Sequence, residues 1–241
     1  MNGGPGCSSL DGLLNELGPY LLNEMGDGFR YNKYSWNTIA NVLFLESPAC
    51  VGFSYNESGT CKNGDDSTSL NNYFALKDFF AKYPEYKANE FFITGESYAG
   101  IYVPTLSLRV LEGMNKFHIN FKGYAIGNGL GSYALNSDSL IFFGYYHGLF
   151  GIRLWKSLTD SCCRNGIPTE NNCNFFDSPY PQCSSSVTQA MSMIYETGIN
   201  MYNMYADCIP PVGYSRYQLD VKNIFHGSKI LNKDFNKLIN R

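Results

Sequence analysis

The order of apolar and polar residues predicts strands that alternate with helices over the first half of the chain. Between residues 66 and 83, apolar side chains recur at helical spacing, and Pro84 ends the segment. A second helix is expected after residue 100, with a kink at Pro104. This alternation predicts a largely parallel sheet. Its strands are expected at the continuous apolar runs 42–45, 91–94 and 121–126.

The pattern changes near Gly131, where helix signals continue without strand signals. We therefore divide the chain into an α/β part, 1–130, and a helical part, 131–241. In the helical part we expect a helix capped by residues 136–138 and ending at Gly148, another around 154–161, and a third capped by the serines at 184–186.

Composition narrows the class of protein. Of the 241 residues 44% are hydrophobic, which is typical of a globular protein, and the net charge of −3 gives no electrostatic case for nucleic acid binding. No apolar run is long enough to span a bilayer, and we expect no cofactor. Eight cysteines favour an oxidising compartment.

The four cysteines between residues 162 and 183 have two interpretations, as zinc ligands or as disulfides. No histidine lies among them and Cys-x-x-Cys spacing is missing, so we expect no metal. Cys162 and Cys163 are neighbours and cannot readily bond each other, so each is expected to reach outward. Elsewhere, Cys50 and Cys61 either pair with each other or are both free thiols.

The candidate chemistry begins at the apolar run 91–94, which stops at Gly95 and is followed by Ser97 and Gly100. Gly-x-Ser-x-Gly between a strand and a helix is the pattern of a nucleophile elbow, in which a tight turn exposes the serine hydroxyl. The alternative is an ordinary turn. The glycine-rich segment 2–12 allows backbone N–H groups to approach a ligand closely, with Gly4 as a donor to an oxyanion, or it is a plain loop.

These two motifs together resemble those of the serine carboxypeptidases, and the segments 34–37, 46–48 and 127–129 extend the similarity. The resemblance implies a partial α/β-hydrolase fold with a mostly parallel sheet and an inserted helical cap. It also implies two nested disulfides, Cys162–Cys183 and Cys163–Cys173. Cys7 and Cys208 match family cysteines whose partners come later in the full-length protein.

The resemblance also assigns roles to individual residues. Ser97 is the nucleophile, and the N–H groups of Gly4 and Tyr98 form the oxyanion hole. The carboxylate of a peptide C-terminus is bound by the Asn2 side chain, the Gly3 N–H and the side chain of Glu96, with Glu16 as a second acid. Burial and this second acid favour a protonated Glu96, which implies activity at acidic pH. Without the family, Glu16 would be an ordinary exposed carboxylate.

A serine nucleophile of this fold needs an aspartate or glutamate and then a histidine later in the chain. None of the three histidines, His118, His147 and His226, has the sequence setting of the family's base, and we expect them to be structural or solvated. We therefore expect an N-terminal fragment, inactive alone, whose base lies on a C-terminal part.

The resemblance implies a peptide substrate with a free, hydrophobic C-terminal residue, and a lysosomal or secreted location for the full-length parent, with no signal peptide in this chain. Two alternatives are a non-catalytic partner that protects other lysosomal enzymes and an acyltransferase of the same fold. Homodimerisation is also left open. The Asn-x-Ser sequence at Asn56 is a candidate glycosylation site in a polar loop.

Overall fold

The computed structural model describes residues 1–23, 25–164 and 167–206. The chain divides into two units, the first from Met1 to Gly131 and the second beginning at Ser132. Over the part of the chain described, none of the helices has both the length and the apolar character needed to cross a bilayer.

The first unit begins with a glycine-rich segment and a short π-helix, Gly12–Glu16. Strands β1 (Tyr20–Leu22) and β2 (Phe29–Tyr31) follow as an antiparallel hairpin. The side chain of Asn32 donates to the carbonyl oxygen of Gly18 at 3.0 Å, which fixes the end of the hairpin beside the π-helix.

Helix α1 (Asp65–Lys82) agrees with the prediction to within one residue at each end. Asp65 and Asp66 occupy its first turn and Lys82 its last, an arrangement that favours the helix dipole. Its buried face carries Tyr73, Leu76 and Phe80 at the predicted helical spacing.

Strand β3 (Phe91–Glu96) pairs in parallel with β4 (Phe121–Gly127), and helix α2 (Ala99–Gly113) connects them and packs on both. Helix α2 continues through Pro104 and also packs on α1. Its buried face includes Val103, Leu106 and Val110, which are apolar at helical spacing because they cover the sheet.

The strand predicted at 42–45 is wrong, because these residues have no regular secondary structure and Leu43 is exposed. A strand needs a hydrogen-bonded neighbour. One edge of β3 bonds to β4, and at its other edge Met1 donates to the carbonyl oxygen of Thr94 at 2.9 Å and accepts from the N–H of Glu96 at 3.2 Å. Met1 therefore occupies the end of β3 nearest the elbow on that edge.

The described residues of the second unit form three helices, α3 (Tyr133–Tyr146), α4 (Ile152–Cys162) and α5 (Pro181–Glu196). Two predicted caps are wrong. The hydroxyl of Ser132 caps α3 by accepting from the N–H of Leu135 at 3.3 Å, and α5 begins before the serines at 184–186, because Pro181 has its backbone already set for a first helical position.

Asp138, predicted as part of a cap, instead lies inside α3 and is only 9% exposed. Its Oδ1 accepts from the N–H groups of Phe175 and Phe176 at 2.8 and 2.9 Å, so it holds the loop that follows Cys173. Burial raises the pKa of the Asp138 carboxyl, Glu170 adds to this, and the two N–H donors oppose it.

Three disulfides connect the described cysteines: Cys50–Cys61, Cys162–Cys183 and Cys163–Cys173. The last two are the pairs that the resemblance implies. Because each of these four sulfurs is in a disulfide bond, none of them is available as a zinc-binding thiolate. Among the described cysteines Cys7 is a free thiol, and Cys208 lies outside the described residues.

Candidate active site

Ser97 lies in a strained turn directly between β3 and α2. Its φ of 61° is in the left-handed region, which non-glycine residues rarely adopt and which costs about 1–3 kcal/mol. Three hydrogen bonds hold this conformation: the Ser97 N–H donates to Gly127 at 3.1 Å, and its carbonyl oxygen accepts from Gly100 at 3.0 Å and Leu130 at 2.9 Å. The side chain is exposed, as expected for a nucleophile elbow.

The two glycines of the motif are required by close packing. A Cβ at Gly100 would lie 2.5 Å from the carbonyl oxygen of Leu130 and 2.6 Å from its nitrogen. A Cβ at Gly95 would lie 2.8 Å from the carbonyl oxygen of Met1 and 2.9 Å from the side chain of Val103. Any side chain at these two positions would therefore collide with the neighbouring backbone.

The glycine-rich segment passes directly over the elbow. A Cβ at Gly3 would lie 2.8 Å from that of Ser97 and 2.9 Å from the carbonyl oxygen of Glu96. Gly4 follows with a φ of 115°, a conformation that suits glycine, and the N–H of Cys7 closes the turn by donating to Gly3 at 3.0 Å. The structure thus brings the backbone of this segment to Ser97 and to Tyr98, the residue before α2.

Asn2 connects the two motifs through its side chain and is 4% exposed. Its Nδ2 donates to Oε1 of Glu96 at 3.2 Å, and its Oδ1 accepts from the N–H of Gly12 at 3.1 Å. Gly12 begins the π-helix that carries Glu16. Residues 94 positions apart in the sequence therefore form one polar cluster beside the nucleophile.

Glu16 is coupled electrostatically to Glu96. Burial raises the pKa of the Glu16 carboxyl, and the charges of Glu96 and then Asp11 raise it further, while the Met1 ammonium and a hydrogen bond from Asn2 oppose this. Glu16 therefore keeps its proton to a higher pH than an isolated glutamate does.

Two carboxylates for which the sequence analysis gave no role also contact the elbow and the glycine-rich segment. Glu46 accepts from the Ser8 hydroxyl at 2.6 Å, and the Tyr98 hydroxyl donates to Asp65 at 3.1 Å. Neither contact follows a local spacing rule, because the partners lie 38 and 33 residues apart. Pairs of covarying positions in an alignment would be the signal for such contacts.

Of the two histidines within the described residues, His118 shares the first unit with Ser97 and is not placed as its base. His118 is exposed and precedes β4, whereas Ser97 follows β3, so the two lie at opposite ends of a parallel sheet about 20 Å long. His147 ends α3 in the second unit, where its Nδ1 lies 2.9 Å from the carbonyl oxygen of Phe143 and its ring stacks on that residue. His226 lies outside the described residues.

The family model described as serine carboxypeptidase matches residues 1–238. The chain belongs to the serine carboxypeptidase family. It is 49% identical over 231 residues to the mouse (Mus musculus) "Lysosomal protective protein", covering 93% of this chain and 47% of that one. It is also 49% identical over 209 residues to "Serine carboxypeptidase ctsa-4.1" of Caenorhabditis elegans, covering 86% and 43%.

A solved structure is also similar to this chain. It is the crystal structure of Kex1(delta)p, a prohormone-processing carboxypeptidase from Saccharomyces cerevisiae, with a TM-score of 0.63 and 26% identity over 87% of this chain and 48% of that one. The prediction of an α/β-hydrolase fold is confirmed. The chain spans about half the length of these three relatives.

Asn56 lies in the exposed loop between Cys50 and Cys61. Its Oδ1 accepts from both the N–H and the hydroxyl of Ser58, each at 3.0 Å. The asparagine and the serine of the sequon thus contact each other at the protein surface.

Proposed function

We propose that this chain carries the nucleophile and the carboxylate-binding residues of a serine-type carboxypeptidase. The observation that supports this most directly is that Asn2 joins Glu96, the residue before the exposed, left-handed Ser97, to the π-helix of Glu16. An endopeptidase has no use for a group that recognises a free carboxylate beside its nucleophile. Activity of the whole protein, its substrates and its partners are all part of the proposal.

In the proposed reaction the Ser97 hydroxyl attacks the carbonyl carbon of the last peptide bond. A base takes the hydroxyl proton and returns it to the leaving amine, so that an acyl-enzyme and a free amino acid form, and water then hydrolyses the ester. The N–H groups of Gly4 and Tyr98 stabilise the oxyanion. Removing one such donor typically lowers kcat by about 10²–10³-fold.

The substrate carboxylate is bound by the Asn2 side chain, the Gly3 N–H and the Glu96–Glu16 pair. A carboxylate next to two carboxyl groups is stable only when these hold at least one proton, since a protonated carboxyl can donate a hydrogen bond and an ionised pair repels. The raised pKa of Glu16 supports this arrangement at acidic pH. Binding should weaken as the pair loses its proton.

The base and its orienting carboxylate are proposed to come from residues outside the described ranges, because His118 lies at the opposite end of the sheet from Ser97 and His147 lacks the sequence setting of the family's base. The test is an assay of a blocked dipeptide with a hydrophobic C-terminal residue at acidic pH, using the 241-residue chain and a form extended to the length of its relatives. We expect activity only in the longer form, and its loss on Ser97→Ala. The matched C-terminal amide should be a much poorer substrate.

Robust activity of the 241-residue chain would show that one of its histidines acts as the base. Equal rates on the acid and amide substrates would exclude the carboxylate-binding role of Asn2 and Glu96.

A lysosomal or secreted location is proposed from the three disulfides, which form in oxidising compartments, and from the name of the mouse relative. The word "protective" in that name also supports a second proposal, that the protein binds other lysosomal enzymes. Co-purification of such enzymes with the Ser97→Ala variant would separate this role from catalysis. Homodimerisation and occupancy of Asn56 by glycan stay predictions, to be tested by sedimentation and by glycosidase treatment.

A further inference from the structure

Residues 46–65, which we call the strap, form a loop cross-linked within the first unit. The Cys50–Cys61 disulfide joins its two arms, and the Asn63 side chain donates across it to the carbonyl oxygen of Ala49 at 2.9 Å. Ser47 anchors the strap to α1 through a buried hydrogen bond to Asn72 at 2.7 Å. The strap is therefore closed on itself and attached to a helix.

The first end of the strap holds the glycine-rich segment. Oε1 of Glu46 accepts from the Ser8 hydroxyl at 2.6 Å and from the Leu10 N–H at 3.3 Å, and Oε2 accepts from the Phe53 N–H at 3.0 Å. Gly52 leaves space for this carboxylate, because a Cβ there would overlap Oε2. Glu46 thus connects the loop between Cys50 and Cys61 to the residues that follow Gly4.

The ionised form of Glu46 is the one that these contacts favour. Burial disfavours the charge, but hydrogen bonds from the Ser8 side chain and from backbone N–H groups outweigh burial and lower the pKa of the carboxyl. Glu46 therefore remains an ionised acceptor to a lower pH than an ordinary glutamate does.

The second end of the strap holds the elbow. The Tyr98 hydroxyl donates to Oδ1 of Asp65 at 3.1 Å, and Asp65 lies in the first turn of α1. The Tyr98 side chain is buried and its ring packs edge-on against Tyr102, with centroids 5.1 Å apart. The N–H of Tyr98 is the second proposed oxyanion donor, so each end of the strap contacts a segment that carries one donor.

We propose that the strap positions the oxyanion hole, with Glu46 and Asp65 as positioning residues that set the Gly4 and Tyr98 donors relative to each other. This rests on the proposed function. Neither carboxylate touches the substrate in this scheme. The Cys50–Cys61 disulfide keeps the two ends at a fixed separation, and a misplacement of about 1 Å in such a site can lower the rate by about 10²-fold.

The first test does not depend on activity. Hydrogen exchange is measured by mass spectrometry in the wild type, in Glu46→Gln, and in a Cys50→Ser/Cys61→Ser double variant. Glutamine has one acceptor oxygen where glutamate has two, so we expect exchange in peptides covering residues 3–10 and 52–54 to rise at least about fivefold. Glu57→Gln is the control, because this exposed carboxylate lies in the same loop.

The second test uses the extended form that carries the peptidase activity. Glu46→Gln, Asp65→Ala and the double cysteine variant should each lower kcat about 10–100-fold with KM changed less than threefold, and Glu57→Gln should match the wild type. Asp65→Ala and Tyr98→Phe should be non-additive, since each removes the same hydrogen bond. Reduction of the wild type should lower kcat, and reoxidation should restore it.

The outcomes separate the two proposals. If the wild-type extended form has no peptidase activity, the proposed function fails. The exchange data alone then test whether the strap holds the glycine-rich segment in place. Unchanged exchange at residues 3–10 in Glu46→Gln, or a change in KM without a change in kcat, would overturn the positioning role. Should Glu46→Gln unfold globally, the double cysteine variant decides, because both of its substitutions are at exposed positions.

Discussion

Gly100→Ala is expected to destabilise the elbow without touching any reacting group. The new Cβ would lie between 2.5 and 2.7 Å from the carbonyl oxygen, nitrogen and carbonyl carbon of Leu130, which are backbone atoms and cannot rotate away. Leu130 must therefore move, and the hydrogen bond from its N–H to the carbonyl oxygen of Ser97, now 2.9 Å, must lengthen.

Three contributions determine how far Gly100→Ala changes the free energy of unfolding. Overpacking costs about 1–3 kcal/mol. Loss of the hydrogen bond adds about 0.5–1.5 kcal/mol. Alanine near the start of α2 returns up to about 1 kcal/mol of helix propensity. The free energy of unfolding should thus fall by about 0.5–4.5 kcal/mol, measured by urea denaturation, and kcat of the active form should fall with it.

Gly123→Ala is the matched control. It places a Cβ in β4 at 3.9 Å from the ring of Phe92, an ordinary contact, and should leave stability unchanged or slightly increased. An unfolding midpoint of Gly100→Ala equal to that of the wild type would refute the crossing of α2 over Leu130, and with it the reason given for glycine at this position.

Three further predictions concern the carboxyl groups and disulfides. Glu16→Gln should flatten the loss of peptidase activity as pH rises above about 4, measured as kcat/KM against pH, because the raised pKa is that of Glu16 and a glutamine at this position cannot ionise. The pKa of Asp138 is raised on folding, so its contribution to stability is complete below about pH 4 and lost as pH rises through the folded value; Asp138→Asn should remove this slope from thermal unfolding curves, and an identical slope would contradict it. Opening Cys162–Cys183 by a double serine substitution should cost about 3 kcal/mol, as expected for a loop with 21 residues of separation, and a change below about 0.5 kcal/mol would count against the disulfide in solution.

Local patterns in the sequence predicted the parts of the fold that depend on neighbouring residues. The helical spacing between 66 and 83 predicted α1. The glycine–serine turn after an apolar run predicted the elbow, where the left-handed backbone conformation of Ser97 depends on residues close to it in the sequence. The nested disulfides came from the family resemblance. The strand predicted at 42–45 is wrong because an apolar run shows that a segment suits a sheet but not which edge of the sheet is available to it.

The contacts of Glu46 and Asp65 could not be predicted either, because they too depend on which distant segments meet in the folded chain. Each is an acidic residue in a polar segment, and only the folded chain shows that each accepts a hydrogen bond from a motif more than thirty positions away. The site could be predicted as far as its two motifs, and its supporting carboxylates could not.

The loop 127–130 gives Ser97 both a hydrogen-bond acceptor and a donor, from Gly127 and Leu130, and Asn128 between them has a positive φ of 44°. Two separate stretches of sequence therefore determine the backbone conformation of the nucleophile: the turn around Ser97 and the loop about thirty residues later. In a mutational scan, substitutions in this loop should cluster with active-site variants although none of its side chains reacts. A designer who transplants the Gly-x-Ser-x-Gly turn into another scaffold must carry this loop along with it.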